Sequence, residues 1–280
     1  MMKVAVLCLV ILMAINETSA KLLLIENPKF VSESFDISRA TVQLIEKFYL
    51  SKSNKVRFMT AGNDTIDTTD KIRQNYNKTS FSVDIENLKK VQRKFPIVVI
   101  IFINLVESFK NEFLKFRTEA FNRQGFITIV AIKHLKIDEI SNIFELFWKT
   151  LLINVNLITP SVNGTLELFT FIPYNNLKCG DTMPVKINIF TNNSWQTEKF
   201  HREKIKNLYK CPINVAAAAV AGEPYVIETT DPNGNYEIVG VEMDMFEVFA
   251  KALNFELKIK NFGKLTGHLF ENGSATGEKS

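Results

Sequence analysis

"FPIVVIIFIN" (residues 95–104) holds eight apolar residues in ten, most of them β-branched, with no polar residue until Asn104. A strand with one face in water alternates apolar and polar positions, whereas a strand covered on both faces does not. This stretch predicts a central strand of a parallel sheet. The next residues agree: Asn104 and Glu107 form a capping pair, and Leu105, Phe109, Phe113, Phe116 and Ala120 recur at helical spacing. Gly125 closes that helix, and "FITIVAI" (126–132) reads as a second buried strand.

The same alternation extends in both directions. Asp36 to Leu50 places Ile37, Ala40, Leu44, Ile45 and Phe48 on one helical face, and a short strand comes next at Val56 to Thr60. A helix from Ile137 to about Leu152 turns Ile140, Phe144, Phe147 and Leu151 inward, and "NVNLIT" (154–159) and "GTLELFTFIPY" (164–174) complete the set. Strands and helices joined by short connectors predict an α/β domain of three layers around a mainly parallel sheet. The Phe stripes read as core.

At the amino end, Lys3, the twelve apolar residues Val4 to Ile15 and the small residues Thr18-Ser19-Ala20 have the three parts of a secretory signal over residues 1–20. Twelve residues of helix reach only about 18 Å, against roughly 30 Å of hydrocarbon. Beyond Ala20 no apolar run is long enough to span a membrane, so an extracellular chain is expected. After removal of the signal two cysteines remain, Cys179 and Cys211. In an oxidising compartment they most simply form one disulfide, either a clamp between domains or a staple within one. Sequons at Asn63, Asn77, Asn163, Asn192 and Asn272 fit export and mark candidate glycosylation sites.

The composition excludes several functions. A net charge of +4, from 34 basic and 30 acidic residues with no block of like charge, gives no nucleic-acid footprint. His134, His201 and His268 accompany no nucleophile motif, no metal-ligand spacing appears and "GSATGEKS" has the wrong spacing for a phosphate loop. No enzyme, cofactor or metal is expected. Asp138 and Glu139 open a helix, where its dipole accounts for them. The basic residues Lys199, His201, Arg202, Lys204, Lys206 and Lys210 read as a solvated linker face.

The last part has its own pattern. Strands are expected at 213–220 and 225–230, a turn at Asp231-Pro232-Asn233-Gly234, a helix from Asp244 with Met245, Phe246, Phe249, Ala250 and Leu253 inward, a stop at Asn254 and a strand at 255–260. The order of "KNLYKCPINVA" (206–216), "EPYV" (223–226), a turn, "GVEMDMFEVFAKALNF" (240–255) and "ENGSATG" (271–277) resembles the first ligand-binding segment of ionotropic glutamate receptors, above all the divergent insect chemosensory ionotropic receptors.

The resemblance implies a two-lobed clamshell of periplasmic-binding-protein type that closes on a small ligand and opens a cation pore. By position it places Tyr225 over the ligand and Glu223 at the cleft; read on their own, the two are a strand aromatic and a turn residue. It divides the chain into a signal (1–20), an extracellular N-terminal α/β domain (21–205) and an incomplete binding lobe (206–280). The family's carboxylate-gripping arginine, its membrane helices and its second lobe segment have no counterpart here, so a truncated subunit is expected and glutamate is not implied. The expected partners are a small chemosensory ligand and other receptor subunits or co-receptors, with the plasma membrane as the site of a full-length form. The alternative is a secreted binding module or subunit decoy.

Overall fold

The computed structural model describes residues 28–61, 82–87, 97–114, 124–176, 178–217, 226–230, 232–234, 236–261, 268–269 and 275–276. The chain divides into two compact units, one of residues 1–171 and 182–202, the other of residues 172–181 and 203–280.

The first unit is built on an eight-stranded sheet. Its elements are α1 (Pro28–Lys47), a 3-10 turn (Tyr49–Ser51), β1 (Lys55–Ala61), β2 (Ser82–Asn87), β3 (Val98–Ile103), α2 (Val106–Leu114), β4 (Phe126–Ala131), α3 (Ile137–Lys149), β5 (Val155–Pro160), β6 (Leu166–Thr170), β7 (Val185–Thr191) and β8 (Ser194–Trp195). The strand order is β2-β1-β3-β4-β5-β6-β7-β8. The first five strands run parallel and the last three antiparallel. The mainly parallel α/β sheet read from the sequence is therefore present, with an antiparallel extension. Strand β2 was not anticipated: "SVDIEN" alternates polar and apolar residues at the edge of the sheet.

Every residue of β3 is buried. Val99, Ile101 and Ile103 enter one core with Phe109 and Phe113 of α2 and Ile140, Ile143, Phe144 and Phe147 of α3. Val98, Ile100 and Phe102 enter a second core with Ile37, Ala40, Leu44 and Ile45 of α1. Alternate side chains of a strand point to opposite faces, so these two memberships define the three layers.

Some boundaries moved. Helix α3 ends at Lys149, and Leu151, expected inside, takes a left-handed φ of 58° and is exposed. Leu152 is buried in its place. Leu105 is likewise exposed, because α2 begins only at Val106. Phe116 and Ala120 lie outside the described residues. The basic stretch is not uniformly solvated. His201 stacks on Phe48 at 5.8 Å and meets the edge of Phe126 at 5.3 Å. Lys204 is buried, and burial pulls its amine down to about 7.

The second unit contains β9 (Pro212–Ala217), the hairpin β10 (Ile227–Thr230) and β11 (Tyr236–Val239), α4 (Val241–Leu253), β12 (Glu256–Asn261), and the short pair β13 (His268–Leu269) and β14 (Ala275–Thr276). Strand β12 pairs in parallel with β9, from Glu256 opposite Pro212 to Asn261 opposite Ala217. Asn254 ends α4, as read from the sequence, and takes the left-handed conformation there. The helix starts at Val241, three residues before the expected Asp244, so Met243 heads its buried stripe. Met245 and Phe249, expected inside, are exposed.

Cys179 and Cys211 are disulfide-bonded, with Cα atoms 5.7 Å apart. Both lie in the second unit, so of the two readings the staple within one unit holds and the interdomain clamp does not. A closed loop of 32 residues is worth roughly 3–4 kcal/mol in the chain-entropy view.

A buried polar network lies within the first unit. The Tyr49 hydroxyl shares a hydrogen bond with the Thr128 hydroxyl, and Asn156 Nδ2 donates to the Phe200 carbonyl at 2.7 Å. Burial pushes the Tyr49 phenol up to about 12, against the weaker lowering effect of its hydrogen bonds to Thr128 and Asn156. Because the folded value lies above the unfolded value of about 10, the stabilisation is complete below pH 10 and lost as the pH rises toward 12.

Two substitutions test these cores. Ile101→Ala, which empties the centre of a fully buried strand, should cost about 2–5 kcal/mol in denaturant unfolding. Tyr49→Phe should cost about 1–2 kcal/mol at pH 7. Phenylalanine does not ionise, so the wild type alone loses about 2 kcal/mol between pH 10 and pH 12, and in paired melts the gap should close or change sign.

Candidate ligand-binding site

Open α/β sheets bind ligands beyond the carboxyl ends of their parallel strands, where the strand order reverses. In the order β2-β1-β3-β4-β5 that reversal falls between β1 and β3. Thr60 and Ala61 end β1 beside Phe102 and Ile103 of β3, and Asn104 leads from β3 into α2. Next along the same edge is the β4–α3 connection. There His134 Nδ1 donates to the Pro160 carbonyl at 2.7 Å, which fixes the proton on Nδ1. The Leu135 N–H donates to Thr159 Oγ1 at 3.0 Å. These two bonds fasten the loop to the end of β5.

Helix amino termini at this edge would ordinarily offer N–H donors and positive potential to an anion. Here the chain supplies its own acids. Glu107 lies in the first turn of α2, and Asp138 and Glu139 in that of α3. Glu139 Oε2 accepts the Lys136 N–H at 2.8 Å, and Glu107 Oε1 pairs with Lys110 at 3.0 Å. An anionic ligand therefore meets helix ends already provided with carboxylates.

The edge continues into the antiparallel strands, where a cleft of about 460 Å³ opens. Asp36 of α1, Asn163 and Thr165 of the β5–β6 turn, and Thr191, Asn192 and Asn193 at the β7–β8 turn supply its polar lining. Local chemistry shapes both turns. Ser161 accepts the Gly164 N–H, and Gly164 sits at φ 77° with open space around it. Asn192 and Asn193 take φ values of 49° and 63°, and Thr191 pairs with Ser194. That is a two-residue hairpin turn with both central residues left-handed, a conformation asparagine tolerates. Trp195 Nε1 donates to the Ala40 carbonyl at 3.1 Å and Gln43 Nε2 to the Asn193 carbonyl at 2.8 Å, which holds α1, and so Asp36, against this hairpin.

The residues nominated from the sequence are distributed unevenly. Glu223 and Tyr225 lie outside the described residues, as do Asn63, Asn77 and Asn272. Asn163 and Asn192 are exposed and line the same cleft. Sequence reasoning treated these two as separate sequons, because their meeting depends on β6 lying between β5 and β7. The "TNNS" turn was the local signal that went unused. Asp36 was assigned only to a helix start. Among the described residues no group of three His, Cys, Asp or Glu is placed to hold a metal ion.

No curated protein matches the chain. The family model described as "Putative ionotropic receptor, ligand binding domain" matches residues 31–207. The match contains α2, α3 and all eight strands of the first sheet, together with its carboxyl edge and the polar cleft. It falls on the segment that the sequence reading assigned to an N-terminal domain, rather than on residues 206–280. The chain therefore belongs to the family of ionotropic receptor ligand-binding domains.

Proposed function

We propose that this chain senses a small extracellular molecule for a chemosensory ionotropic receptor of the insect type, as part of a ligand-gated cation-channel subunit working with other receptor subunits or co-receptors. The observation that carries the proposal is the family match over residues 31–207, on a doubly wound sheet whose strand order reverses between β1 and β3. Among the described residues no helix is long and apolar enough to cross a membrane, so the role proposed for them is sensing.

The lobe would hold its ligand at the carboxyl edge, near Asn104 and the fastened β4–α3 loop. The acids already at the starts of α2 and α3 favour a neutral or amine-bearing ligand over an amino-acid carboxylate. This agrees with the absence of glutamate-type expectations from the sequence.

The test is thermal unfolding of the secreted full chain against a panel of small neutral, amine and carboxylate compounds. A true ligand at a hundredfold its Kd should add about 2.7 kcal/mol, a shift of several degrees, and should come from the neutral or amine set. Stabilisation by carboxylates alone would refute the assigned chemistry. A flat response across a panel broad enough to include the odorants and tastants of insects would refute ligand sensing by this chain.

A further inference from the structure

Two of the sequons meet at one place. Asn163-Gly164-Thr165 and Asn192-Asn193-Ser194 occupy the β5–β6 and β7–β8 turns, and both asparagines line the cleft that contains Asp36. The two turns are at the same end of the sheet, because β5 and β7 point the same way with the antiparallel β6 between them. Two strand spacings separate them, roughly 10 Å. Both asparagines are exposed. Among the described residues no hydrogen bond engages either side-chain amide, so each is available for attachment.

From this placement we infer that Asn163 and Asn192 each carry an N-linked glycan, and that the pair occupies the cleft between them and closes it to ligands and partner subunits. The inference rests on the extracellular location in the proposed function, since glycan transfer requires entry into the secretory pathway. The lining suits the occupant. The Asp36 carboxylate, the Asn193 amide and the Thr165 and Thr191 hydroxyls are donors and acceptors for sugar hydroxyls, beside the apolar Leu166 and Phe190. A branched glycan core is longer than the spacing of the two turns, so a core rooted at either turn is long enough to span the cleft.

The consequence is a division of the sheet's carboxyl edge. The end at β6–β8 is a sugar-covered surface, and ligand access is confined to the β1–β3–β4 end. Strand β8 is only two residues long and lies at the end of the strand order. Covering it with glycans also blunts a sheet edge against pairing with another chain.

The experiment is secretion of the full chain from insect cells, then site mapping and carboxyl labelling. Peptide mapping after enzymatic glycan release should find both Asn163 and Asn192 occupied, and Asn163→Gln and Asn192→Gln should each remove one glycan from the intact mass. Labelling of Asp36 with a carbodiimide and an amine should be several-fold slower in the glycosylated protein than after native trimming with an endoglycosidase that leaves one sugar on each asparagine. Secreted protein with either asparagine unoccupied would overturn the inference while leaving the receptor reading standing. Equal labelling of Asp36 before and after trimming would overturn the covering of the cleft. Failure of the intact, folded chain to enter the secretory pathway would overturn both the inference and the extracellular reading.

Discussion

Strand β3 has no side that water can share. All six residues from Val98 to Ile103 are buried, alternating between the core under α1 and the core under α2 and α3. Burying six such side chains removes apolar surface worth on the order of 10 kcal/mol, comparable with the net stability of a whole domain. A sheet with such a strand at its centre requires helices on both faces, and parallel strands provide them through their crossovers. The connections from β3 and β4 into helices then gather at the carboxyl edge, which is where the candidate site lies.

The antiparallel end has a different anchor. Trp195 packs against Phe190 at 5.3 Å and Phe200 at 5.8 Å while its indole N–H reaches the Ala40 carbonyl. One side chain thus ties the last hairpin to the first helix across 155 residues of sequence. Together with the Gln43 bond to the Asn193 carbonyl, it keeps α1, and so Asp36, at the cleft that Asn163 and Asn192 line. The polar cleft is a long-range product of the fold, assembled from residues that are ordinary in their local contexts.

That contrast explains what was legible in the sequence. The continuous apolar run at β3, Phe109 and Phe113 in α2, Phe144 and Phe147 in α3 and the stop at Asn254 reflect local periodicity and capping, and each appeared where expected. Strand β2 was not legible because an edge strand with Ser82, Asp84 and Glu86 carries a mixed pattern. Leu151 was misplaced because about three extra helical residues cost nothing in periodicity, while in the structure the helix stops at Lys149 and Leu152 takes the buried position. In α4 Met245 and Phe249 were placed on the wrong side because apolar residues surround much of this helix, so spacing alone does not single out the face that Met243 marks. The Cys179–Cys211 pairing was legible by elimination, but its confinement to the second unit depends on how segment 172–181 leaves the first sheet. The binding residues chosen by resemblance, Tyr225 and Glu223, fall outside the described residues, and the family match points to residues 31–207.

A ligand bound at the carboxyl edge of the first unit, as proposed, should leave its mark on the loops there. Hydrogen exchange of the secreted chain with and without a stabilising ligand reads those loops one by one. The amides at 104–106 and 133–137 should exchange more slowly with ligand, and the hairpin at 191–195 should be unchanged. Protection confined to residues 203–280, with these loops unaffected, would contradict binding at that edge.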